Sequence, residues 1–224
     1  MIKKYIRIAF TLAVFPLMFT GCEIFGLDRQ EAYDYDYNAG MYDNHINMTV
    51  WEFINNRQDL FPLMKEAIEY AGMENMYNDA DATYVLLADK AFNSTTAADL
   101  SYFQTHKLID ESGVEYAPIS MTQYPKEVVK EFLLYHIVKG KYTWSNLPPS
   151  ATWYNTYASA DTAKVNMYIL KDRNPNITFN NYGGNYKSDP IKPRTSNLLS
   201  NSGAYVHVLE SWLDRPTRQQ LEQN

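Results

Sequence analysis

Leu133-Leu134-Tyr135-His136-Ile137-Val138-Lys139-Gly140-Lys141-Tyr142 changes its periodicity halfway along. The first half closes an apolar stripe, Val128, Val129, Phe132, Leu133 and His136, spaced as one face of a helix. Pro125 stands where a helix accepts proline, in its first turn, so the spacing predicts a helix over 125–136. The second half opens with the β-branched pair Ile137-Val138 and turns at Gly140, which reads as a short strand ending in a tight turn. A helix therefore runs straight into a strand.

Upstream, Thr49-Val50-Trp51-Glu52 reads as a capping box, with Thr49 as N-cap and Glu52 reaching back. A second helix is expected from about Leu60 to Ala71, stopped by Gly72. Thr83 to Ala88 has few polar side chains and reads as a strand buried on both faces. Thr96-Ala97-Ala98-Asp99 is expected to open a helix carrying Leu100 and Phe103. Downstream, residues 144–161 read as a loop and Ala163 to Leu170 as a half-buried strand. Ile177 to Tyr182 reads as a strand stopped by Gly183-Gly184. Residues 185–197 read as a polar loop, Tyr205 to Leu213 as the last strand, and the chain after Asp214 as a polar tail. Helices come first and hairpin-like strands later, which predicts an α+β domain rather than a doubly wound sheet.

The chain has 224 residues, net charge −6, 15% aromatic residues and one cysteine. A single cysteine excludes an internal disulfide framework and a zinc site built from several thiolates. The acidic balance excludes a general nucleic-acid backbone binder. Lys3, Lys4 and Arg7 precede an apolar run from Ile8 to Phe19 that is too short to span a bilayer, and Phe19-Thr20-Gly21-Cys22 follows. This order resembles a bacterial lipoprotein signal, with Cys22 lipidated as the new N-terminus. Phe19 departs from the usual aliphatic residue. The expected organisation is a signal peptide over 1–21, a lipid-anchored tether over 22–47, one domain over 48–214 and a polar tail over 215–224. Residues 1–21 carry three basic and no acidic side chains, so the remaining chain has net charge −9. The acyl chains, not the body's charge, would hold it to the membrane. Asp34, Asp36 and Asn38 fail as a calcium loop, because the sixth and twelfth positions are Ala39 and His45.

The landmarks, in their order, resemble the fasciclin domain. Thr49 to Ile54 looks like its opening helix, Thr83 to Phe92 like its first motif, Leu133 to Tyr142 like its central segment, and Asn201 to Leu209 like its closing motif. The resemblance covers residues 48–214. It departs from the family at Leu87 and Asp89-Lys90, and residues 143–200 are long for it. It implies a β-sandwich or wedge flanked by helices, in a secreted or membrane-anchored interaction module without enzymatic activity or cofactor. Tyr135, His136 and His207 fall in family motifs, which implies structural roles through ring hydrogen bonds. In animal relatives a Tyr-His pair among bulky apolar residues is linked to integrin binding. Tyr135-His136 matches that pattern, but its place on a buried helix face argues against carrying the activity over.

Hydrolytic motifs are absent: there is no G-x-S-x-G and no H-E-x-x-H. Glu127 and Glu131 lie four apart on a helix, as a solvated face would place them. No metal site or cofactor is expected. The candidate partner- or glycan-binding residues are Tyr142, Trp144, Trp153, Tyr154 and Tyr157, since rigid aromatic faces anchor interfaces and stack on sugar rings. The same side chains could instead fold back as a minor core. Asp161-Thr162-Ala163 resembles a short bacterial O-glycosylation pattern, with Thr162 as acceptor. The expectation is a lipid-anchored outer-membrane lipoprotein that binds protein or glycan at the cell surface, with the periplasmic face as the alternative. Its partners are the lipid bilayer, through acylated Cys22, and an outer-membrane protein complex or a glycan. One version is an accessory subunit of a TonB-dependent nutrient importer, by analogy with where small lipoproteins occur. An adhesin contacting other cells or host matrix is the alternative, and a glycan-active enzyme is the third class.

Overall fold

The computed structural model describes residues 43–94, 101–170, 175–182 and 189–223. Cys22 and its signal, the tether up to residue 42, the helix opening at 96–99, Gly183-Gly184 and Asn185 lie outside the described residues.

The domain is α+β. Strand β1 (Ala82–Leu87) is buried at all six positions, as its apolar run requires. It pairs antiparallel with β4 (Ile137–Lys139) and parallel with β9 (Tyr205–Leu209). Strand β8 (Thr195–Leu199) adds antiparallel to β9, giving the order β4-β1-β9-β8. A second sheet is the antiparallel meander β5 (Thr152–Asn155), β6 (Lys164–Leu170) and β7 (Asn176–Phe179). Its inner face packs on the first sheet, with the Phe179 ring 5.8 Å from that of His207. A bridge between Val138 and Thr156 joins the two sheets along one side. They do not close into a barrel.

Helix α1 (Val50–Asn56) carries the expected capping box: Thr49 Oγ1 accepts from Glu52 N, and a Glu52 carboxylate oxygen accepts from Thr49 N. Helix α2 (Pro62–Ala71) begins with proline in its first turn and ends at Gly72, whose φ of 69° is left-handed. It lies over β1, where Leu87 N–H donates to Met64 Sδ at 3.1 Å. The short α3 (Asp89–Phe92) supplies Asp89, whose carboxylate accepts from Leu63 N at 3.1 Å. Helix α4 (Tyr102–Thr105) starts at a Ser101 cap. Helix α5 (Lys126–Tyr135) follows Pro125 and packs on α2. Helix α6 (Arg218–Gln223) closes the chain's described part, where sequence reading expected only a polar tail.

Several expectations need correction. The presumed loop over 144–161 contains β5, because Trp153 and Tyr154 alternate between the two faces of the meander and pair with β6. The presumed polar loop over 185–197 ends in β8, an edge strand whose bulge, with Asn197 at φ 66°, hides the period-two pattern. The last strand stops at Leu209 rather than Leu213; residues 210–215 leave the sheet as a strap toward α5. Val128 is 47% exposed and does not share the core face of Val129 and Leu133. The hairpin β2 (Leu108–Ile109) and β3 (Glu115–Tyr116) had no clear alternation to announce it.

Residues 43–47 already pair with the domain. His45 bridges Leu199, and Ile46 N–H donates to Leu199 O at 2.9 Å.

Candidate functional site

The stretch 133–142 is structural at nearly every position. Leu133 is core, and Ile137 and Val138 fill β4. Gly140 turns at φ 101°, and a Cβ there would meet the Tyr142 ring at 3.1–3.3 Å. Thr83 Oγ1 donates to Gly140 O at 2.7 Å and accepts from Tyr142 N at 2.9 Å, fastening the turn to β1.

His136 and His207 are both fully enclosed, and each ring bridges two backbone groups. His136 Nδ1 lies 2.8 Å from Phe132 O, and its Nε2 accepts from Leu213 N at 3.0 Å. The carbonyl needs a donor and the amide an acceptor, so the neutral Nδ1–H form is fixed. His207 has the opposite tautomer: Nε2 donates to Tyr142 O at 3.1 Å, and Nδ1 accepts from Asn197 N at 3.2 Å. Burial lowers both rings to about 4. Such imidazoles organise backbone and present no free edge for proton transfer.

Tyr135 is likewise buried, with its hydroxyl 3.0 Å from both Lys164 O and Asp214 O. Asn180 Nδ2 and Tyr182 Oη also reach Asp214 O, at 2.9 and 3.4 Å. Together with the His136–Leu213 bond, these contacts clamp the strap 212–215 against the end of α5. The Tyr135-His136 pair picked out by sequence is therefore a mount for surface residues and not itself a surface.

The five aromatic candidates do not converge on one face. Tyr142 and Tyr154 pack on each other with centroids 4.2 Å apart. Tyr157 donates to Asp79 Oδ2 at 2.6 Å, which holds that carboxyl below its usual range and pushes the phenol up to about 12. Lys139 lies over the Tyr157 ring at 5.4 Å. Trp153 stacks on Tyr182 at 5.4 Å. Trp144, 43% exposed, is turned to β8, its indole N–H donating to Ser196 Oγ at 2.9 Å. Thr162 sits in the turn between β5 and β6, half-buried, beside an Asp161 carboxylate 3.5 Å from Arg218.

A groove that sequence reasoning missed lies between α4, α5 and the strap, with a volume of about 470 Å³. Tyr102 and Phe132 form its floor, with centroids 4.6 Å apart. His106 stacks on Tyr102 at 4.1 Å, and Trp212 meets both rings edge-on at 6.0 Å. Val128 supplies an apolar wall and Glu127, Glu131, Asp214 and Arg215 the charged rim. Glu131 is engaged: it pairs with Arg215 at 3.3 Å and accepts from Ser159 Oγ at 3.1 Å. The sequence carried no hint of it: Val128 reads there as part of the apolar stripe, and only the structure shows it 47% exposed at the groove's edge.

Among the described residues, no group of three or more His, Cys, Asp or Glu side chains is placed to hold a metal ion. No helix among them is long and apolar enough to cross a membrane. No protein-family model matches the chain, and no curated protein does. Among solved structures, the chain is similar to a FAS1 domain pair from the insect cell adhesion molecule fasciclin I, at 12% identity and a TM-score of 0.48. That likeness covers 77% of this chain and 52% of the other, so the chain spans about half that structure's length.

Proposed function

We propose that the chain is a non-enzymatic, fasciclin-like binding module, fixed to the outer membrane by acyl chains on Cys22 and facing the cell surface. The observation that carries this reading is the groove of Tyr102, His106, Phe132 and Trp212 with its carboxylate rim. Clustered aromatic faces at the surface are the usual anchors of a recognition site. The buried histidines and Tyr135 are committed to backbone bonds and support the scaffold rather than chemistry. The exposed Trp144 and the half-buried Trp153 are separate aromatic contacts for a protein or glycan, and the half-buried Thr162 is the O-glycosylation acceptor of this reading. In the finer version, the module is an accessory subunit of a TonB-dependent nutrient importer.

Purification of the lipidated chain in mild detergent, followed by mass spectrometry, tests this. Stoichiometric recovery with an outer-membrane barrel supports the importer version, and isolation as a free lipoprotein counts against it. An adhesin is the second reading. It is favoured by the exposed Ile109, Val114 and Ile119 on and beside the β2–β3 hairpin, where apolar side chains await another surface.

A further inference from the structure

We infer that the groove between α4, α5 and the strap receives the cationic side chain of a basic segment on a partner protein. This rests on the binding-module reading and adds the chemistry of what is bound. Three carboxylates, Glu127, Glu131 and Asp214, face the groove, against one guanidinium, Arg215. That guanidinium is already engaged, paired with Glu131 at 3.3 Å and lying over the Tyr135 ring at 5.5 Å. Glu127 makes no ion pair among the described residues. Among the described residues, the Asp214 carboxylate meets only the Trp212 indole, whose Nε1 donates to Oδ1 at 2.8 Å. The rim thus keeps two carboxylates unneutralised beside the rings of Trp212 and Phe132 that line the groove.

Ring faces and carboxylates attract the same ligand, a cation, and both repel an anion. Arginine suits the arrangement better than lysine. Its planar guanidinium can lie on an indole while its N–H fork reaches a carboxylate at the edge. The groove's volume suits a side chain and its immediate neighbours rather than a flat domain face. The net charge of −9 that remains without residues 1–21 steers a basic partner toward the body before any contact forms.

The test uses the full chain in nonionic detergent, with ¹⁵N-labelled indoles and a tetra-arginine amide peptide as probe. The Trp212 indole signal, assigned by its loss in Trp212→Phe, is expected to shift on titration. Glu127→Gln and Asp214→Asn should each weaken binding about threefold to fivefold. Glu111→Gln with Glu222→Gln, remote exposed carboxylates, should leave it unchanged. Val128→Lys, placing an ammonium in the groove at an exposed position, should abolish the shift and release any partner that co-purifies. Equal weakening by the remote pair would mean bulk charge attraction and overturns the inference. A Trp212 shift with maltohexaose and none with the peptide also overturns it, making the groove a sugar site and leaving the binding-module reading intact. A partner that stays bound to Val128→Lys would place the interface elsewhere, again overturning only this inference. Recovery of no partner at all, with no indole shift for either probe, would overturn both.

Discussion

His136 and His207 are the residues with the sharpest consequence. Burial in the core holds each neutral, near 4 against an ordinary 6.5, although a backbone carbonyl accepting from each ring pulls the other way. Between those values the unfolded chain binds protons that the folded chain refuses. Stability is therefore complete above about pH 6.5 and declines as the pH falls toward 4. With two such sites the slope should reach about 2.5 kcal/mol per pH unit in mid-window. Denaturant titrations between pH 7 and 4.5 should show this, with His207→Ala cutting the slope by about half. A flat profile would mean that the rings are protonated in place. Thr83 is the comparable neutral case. Thr83→Val keeps the shape but leaves Gly140 O and Tyr142 N–H without their buried partner, a loss of about 2 kcal/mol in chemical unfolding.

At the scale of elements, what could be read in advance depended on whether a single chain segment carried its own signal. Helix α1 announced itself through Thr49 and Glu52, whose reciprocal bonds need only a three-residue spacing. Removing the cap with Thr49→Ala should cost about 1 kcal/mol, visible as a lower midpoint in urea. Helix α2 announced its end through Gly72, and β1 through an unbroken apolar run. Strands β5 and β8 announced nothing. In β5 the alternating residues are large aromatics on both faces, and in β8 they are polar residues at a sheet edge with a bulge. The groove was illegible for a further reason. Its walls come from residues 102–106, 127–132 and 212–215, and the clamp by Tyr135 and His136, with Asn180 and Tyr182, helps bring the third of these to the others. The two motif residues were visible in the sequence; what they hold in place was not.

At the scale of the molecule, the proposed anchor predicts a simple fractionation. Cys22→Ser should move the chain from the membrane to the soluble fraction while leaving the acid-unfolding profile of the domain unchanged. The centre of the larger sheet carries another consequence. Strand β1 lies between β4 and β9, and its parallel partner begins at Tyr205, more than a hundred positions further along the chain. That seam is a contact of very high sequence separation, slow to form and impossible before the last segments exist. A chain ending at Ala204 should lack cooperative unfolding altogether, rather than lose a peripheral strand. On the proposed export of the chain through a narrow conduit, the same topology would act as a timer. The sheet cannot lock until its final strand has emerged, so the chain stays threadable for as long as it is being passed across.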